Sequence, residues 1–203
     1  SDGACMHYQG RRWGGSHVYD AAATFASYGA GPLDFTPESR ERLRLAVPKD
    51  HAAFLRRLRW VVDLRGLPFS PGRLVAVHAG LQSSPAASTA SSTGISPHFG
   101  AEAQIAALKA RDFTAKCLVS AHDPGRLEPL SGRRGVRPMH PDLDGQCLLV
   151  SGHHHTVEFS GTNQGRVVVD KSGGAPTAAC PLQAVVFPGH KVVSSSCVEA
   201  LYL

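Results

Sequence analysis

The chain reads as an α/β fold whose last third is mostly sheet, and three observations lead there. Short runs rich in β-branched residues, LVAV at 74–77, CLLVS at 147–151, RVVVD at 166–170, QAVVF at 183–187 and KVV at 191–193, are bounded by Gly, Pro, Asn and Ser, the punctuation of successive strands. Two other stretches, PKDHAAFLRRLRWVVDL from Pro48 and AEAQIAALKARD from Ala101, have helical character. With 203 residues and no internal repeat, one core suffices, so a single domain over 1–203 is expected.

The first helix sets Phe54, Leu55, Leu58, Val61 and Val62 along one side with Arg56, Arg57 and Arg59 interposed, and Pro48 and Gly66 punctuate its two ends. The run 74–77 has the pattern of a short buried strand. His78 then falls at the strand tip, and Ala79 and Gly80 open a tight turn. Residues 83–98, SSPAASTASSTGISPH, are small and polar, with little to bury, and read as a low-complexity surface loop.

Composition narrows the class. An apolar share of 42% and a charged share of 18% are those of a folded domain, and no stretch approaches the roughly 20 apolar residues a membrane span needs. The opening SDGACMHYQGRRW has no apolar signal core, which argues against secretion. Five cysteines at long, irregular spacings form no CxxC pair and are read as reduced thiols, giving an intracellular expectation. The net charge of +5 favours an anionic partner. The basic residues are dispersed rather than gathered into a stripe with interleaved aromatics, so a phosphorylated substrate is expected rather than nucleic acid.

Chemistry concentrates in a few places. Gly152 to His155, GHHH, follows the strand CLLVS, and imidazole is the commonest protein ligand for divalent transition metals. In an extended segment His153 and His155 would share a face and His154 would oppose them; the triplet also reads as an exposed turn. A histidine such as His78 after a strand can be a ligand or be bonded to a nearby carbonyl. Asp170 can orient an imidazole or form a turn. Arg133 and Arg134 stand in the Gly-flanked segment LSGRRGV, suited to a guanidinium grip on phosphate.

The order of these pieces is more telling than any one of them. A strand ending in VHAGL, a helix, LSGRRGV, a strand ending in SGHH, then RVVVDKSGG and PLQAVVFPG together resemble the C-terminal half of phosphoprotein-phosphatase-type, calcineurin-like metallophosphoesterases, in their plant and algal branch. The likeness starts at MHYQGRRW and covers nearly the whole chain. It implies part of a metallophosphoesterase sandwich, a mixed sheet flanked by helices, located in cytoplasm or plastid. It implies a phosphatase acting on phosphomonoesters, phosphoserine or phosphothreonine in proteins among them, with two divalent ions of manganese, iron or zinc. His78 and His153 then correspond to ligands of one ion, His155 to the second histidine of the GHxH form, and Arg133, or Arg134 after a one-residue shift, to the phosphate-binding arginine.

The family's other ligands come from an Asp-x-His pair, a Gly-Asp-x-x-Asp-Arg-Gly block and a Gly-Asn-His-Asp or Gly-Asn-His-Glu block, and none stands in these 203 residues. The expectation is therefore an incomplete site and a chain nearly inactive alone, with one sheet face uncovered. Two rivals keep the same fold: a non-catalytic binding remnant, and a nucleotide or dinucleotide phosphohydrolase.

Overall fold

The computed structural model describes residues 21–32, 36–83, 99–112, 114–120, 126–171 and 181–194. The low-complexity segment lies outside them from 84 to 98, as do Cys5, Cys180 and Cys197. The chain divides into two compact units, residues 1–59 and 60–203.

The first unit contains α1 (Ala21–Ser27), α2 (Pro37–Ala46) and α3 (Lys49–Arg57). The start of α2 follows from its sequence. The Thr36 hydroxyl accepts a hydrogen bond from the Ser39 N–H at 3.1 Å, and Pro37 occupies the first turn, where no N–H is required. Within this unit Arg42 donates to the carbonyls of Ala30 at 3.2 Å and Pro32 at 2.8 Å, tying α2 to the chain leaving α1.

The helix expected to run through Val62 ends at Arg57, and Val61–Arg65 forms β1 instead. Val61 and Val62 fit the helical period, but they also pair antiparallel with Val77 and Ala76 of β2 (Arg73–Val77). Two adjacent β-branched residues with a strand partner gain more from the sheet than from another helical turn.

The second unit is built on a mixed five-stranded sheet in the order β1-β2-β3-β5-β4, with β3 at Leu148–Ser151, β4 at Val157–Ser160 and β5 at Arg166–Val169. Strands β2, β3 and β5 are parallel, and the edge strands β1 and β4 run antiparallel to their neighbours. A separate hairpin holds β6 (Gln183–Val186) and β7 (Lys191–Ser194). The chain is α/β, as its alternation of strand runs and helical stretches implies.

One sheet face carries Val61, Val75, Val77 and Leu149, which pack with Ile105 and Leu108 of α4 (Ala101–Ala110) and with Leu118, Leu127 and Leu143. Gln104 of α4 is buried, accepts from the Gln82 N–H at 2.8 Å, and donates to the carbonyls of Gln82 at 2.8 Å and Phe99 at 3.0 Å. Both stems of the segment 83–98 are thereby tied to one helix. The opposite sheet face is also apolar. Register places Val62, Leu64, Leu74, Ala76, Leu148, Val150 and Val167 there; Leu148 and Val167 are buried, and Leu64 is 44% exposed. The hairpin meets the unit through Phe187, stacked on Phe69 at 6.3 Å, and His190, edge-on to Phe159 at 5.7 Å.

Among the described residues Cys117 and Cys147 are free thiols, and burial pushes Cys147 up to about 11. No described helix is long and apolar enough to cross a membrane.

Candidate functional site

Because β2 and β3 are parallel and hydrogen-bonded, from Leu74 opposite Leu148 to Ala76 opposite Val150, both leave the sheet at the same end. Carboxyl ends of adjacent parallel strands are where α/β sheets most often build ligand sites. The Gly152 N–H donates to the His78 carbonyl at 2.9 Å, so the pairing continues one step beyond the strands and draws the two histidine-bearing turns together. The first turn requires glycine at position 80. Its φ is +130°, and a Cβ there would stand 2.0 Å from the Val136 carbonyl oxygen.

His78 Nε2 and His153 Nδ1 lie 3.2 Å apart, with ring centroids 4.9 Å apart and planes inclined at 53°. That separation suits a hydrogen bond between imidazoles. It also suits two neighbouring ligands of one tetrahedral ion, whose bonds of about 2.0–2.1 Å put the nitrogens about 3.3 Å apart. His78 is exposed and His153 half-buried. Burial, reinforced by Arg133, His78 and His154, holds the His153 imidazole down to about 4. At neutral pH it is uncharged, the form that binds a metal.

The histidine triplet is not extended. His153 and His155 have φ of 67° and 54°, in the left-handed region, so the alternation expected of a strand does not hold. The bend sends the three side chains to three places. His153 meets His78; His154 Nε2 donates to the Ala79 carbonyl at 2.6 Å; His155 Nε2 lies 3.3 Å from Arg133 Nη2. Among the described residues Asp170 bonds to no imidazole. Its carboxylate accepts the His155 backbone N–H at 2.9 Å and so fastens the bend to the end of β5.

Arg133 Nη1 donates to the His153 carbonyl, which brings the LSGRRGV segment against the histidine pair. Arg134 is exposed beside it. Among the described residues no three His, Cys, Asp or Glu side chains gather so as to hold an ion. Sequence reasoning passed over Arg166, whose signal is a charged residue opening a strand that is otherwise valine.

No protein-family model, curated protein or solved structure matches this chain.

Proposed function

We propose that this chain belongs to a divalent-metal-dependent phosphoesterase of the calcineurin-like type, with His78 and His153 as two ligands of one ion. The observation that supports this most is the 3.2 Å approach of His78 Nε2 to His153 Nδ1 at adjacent parallel strand ends, beside Arg133.

The donors suit manganese, iron or zinc: two imidazoles, one of them kept neutral by its surroundings. A bound ion would polarise a phosphoryl oxygen and supply hydroxide near neutral pH. The chain's own contribution is positional. His78 and His153 fix two directions around the ion, while the Arg133 and Arg134 guanidiniums offer forked donors to a phosphomonoester's oxygens and offset its charge. The remaining donors, including the carboxylate that would bridge a second ion, belong in this reading to the blocks that the sequence lacks. The apolar second face of the sheet favours the sandwich form of the fold, in which that face is covered by another sheet.

The reading is tested by titrating the chain with zinc and with manganese, in the presence and absence of inorganic phosphate. One ion per chain is expected, bound at least about a hundredfold more weakly after His78→Ala or His153→Ala. Binding that ignores both substitutions would refute the metal centre and favour a non-catalytic module.

A further inference from the structure

Arg166 opens β5 and is 0% exposed. Its hydrogen bonds go to the carbonyls of Arg137 at 2.8 Å, Leu149 at 3.1 Å, Val167 at 2.8 Å and Val136 at 3.4 Å, and to Ser151 Oγ at 2.7 Å. These five bonds use the full donor set of a guanidinium, and none of the acceptors is a carboxylate. A buried cation with no hydrogen-bonded carboxylate is costly even with the charge of Glu158 acting on it from farther off, and an aliphatic side chain would fill the same volume without that cost. Burial accordingly pushes this guanidinium down to about 10.

What the five bonds connect explains why the position holds an arginine. Val136 and Arg137 close the segment that carries Arg133 and Arg134. Leu149 and Ser151 lie in β3, Ser151 two residues before His153. The Gly80 turn after His78 packs on the same group, since a Cβ at Gly80 would lie 3.2 Å from Arg166 Nη2. The five bonds thus join the strand leading to His153 with the end of the segment that carries Arg133 and Arg134, and the turn after His78 packs against the same side chain.

We infer that Arg166 is a positioning residue, a clamp that holds the His78 turn, the His153 bend and the Arg133 segment in mutual register. The inference depends on the proposed function only for what the histidine pair does, not for how the pair is held.

The test uses the whole chain carrying Arg166→Met, Arg166→Lys or Ser151→Ala. Two readouts are taken: zinc affinity by competition with a chromophoric chelator, and the ring-proton nuclear Overhauser effect between His78 and His153 without metal. A folded Arg166→Met chain should lose the His78–His153 signal and bind zinc about tenfold or more weakly, as supporting partners of metal ligands typically do when removed. Arg166→Lys, which keeps the charge but not the fork, should recover part of both. Ser151→Ala removes a single acceptor and should weaken zinc about two- to threefold. A folded Arg166→Met chain with both readouts unchanged overturns the clamp. If that variant does not fold, Ser151→Ala decides, and no change in it overturns the clamp equally. Loss of the ring signal in Arg166→Met, with a wild-type chain that binds no zinc, upholds the clamp and refutes the metal reading instead.

Discussion

The sheet carries two clusters of charge that are built on opposite principles. Along β1, β2 and α4, Asp63 has a side chain only 2% exposed and accepts hydrogen bonds from Arg73 and Lys109, each at 2.9 Å. Arg73 also pairs with Glu102, and Arg65 reaches both acids at 3.6 and 3.5 Å. Positive and negative groups there neutralise one another. Where β2 and β3 end, His78, His153, His154, Arg133 and Arg166 assemble, and the carboxylate of Asp170 is engaged with a backbone N–H rather than a cation. The first cluster is complete and maintains the fold. Among the described residues the second has no carboxylate hydrogen-bonded to its cations, and in the proposed reading it is completed by what it binds.

The largest expected effect comes from breaking the complete cluster. Asp63→Ala leaves Arg73, whose side chain is 13% exposed, with Glu102 alone and frees Lys109, and should cost about 3 kcal/mol in urea unfolding while leaving zinc affinity unchanged. The same carboxylate sets an acid limit. Burial alone would raise its pKa, but hydrogen bonds from Arg73 and Lys109 outweigh that and lower it from 3.8 to about 2. A depressed folded value means stability that is present above the unfolded pKa and lost as pH falls through the folded one. About 2 kcal/mol should therefore disappear between roughly pH 4 and pH 2, and Asp63→Ala should flatten that part of the profile.

Next in size is the incomplete cluster itself. His153→Ala should reduce zinc affinity at least about a hundredfold, or about 2.7 kcal/mol, with a much smaller change in unfolding midpoint. Hydrolysis of an aryl phosphate should be close to background in both proteins. Robust metal-dependent hydrolysis that His153→Ala abolishes would show the site to be complete as it stands.

A cation-rich corner should bind a metal better once an anion has joined it. Inorganic phosphate should raise zinc affinity about tenfold, zinc should raise phosphate affinity by the same factor, and Arg133→Ala should remove most of that coupling. The smallest effect concerns the second sheet face. Leu64→Lys should change unfolding stability by less than about 0.5 kcal/mol yet reduce self-association in sedimentation, because Leu64 is exposed on an apolar surface.

Much of this architecture could be read in advance, for identifiable reasons. The runs at 74–77, 148–150 and 167–169 are apolar on both faces, as strands interior to a sheet must be, and their punctuation marked the ends. The strand at Val61 was obscured because its two valines also continue the helical period begun at Phe54; only the partner strand decides between them. The strand at Val157 follows the histidine bend directly and mixes Glu, Phe and Ser, which leaves little periodic signal. The meeting of His78 and His153 was legible because each follows a strand. The left-handed φ values that separate His153, His154 and His155 were not, since nothing local forces a histidine into that region. Arg166 escaped notice because its five acceptors include four backbone carbonyls, which no side-chain pattern reveals.

The central claim, that His78 and His153 share one ion, is tested most directly by long-range proton–nitrogen NMR of the imidazoles during a zinc titration. His78 Nε2 and His153 Nδ1 should shift together and saturate at one zinc per chain, while the ring nitrogens of His154 remain unmoved. Zinc that shifts only one of the two rings, or moves His154 or His155 and leaves the pair untouched, would contradict the account.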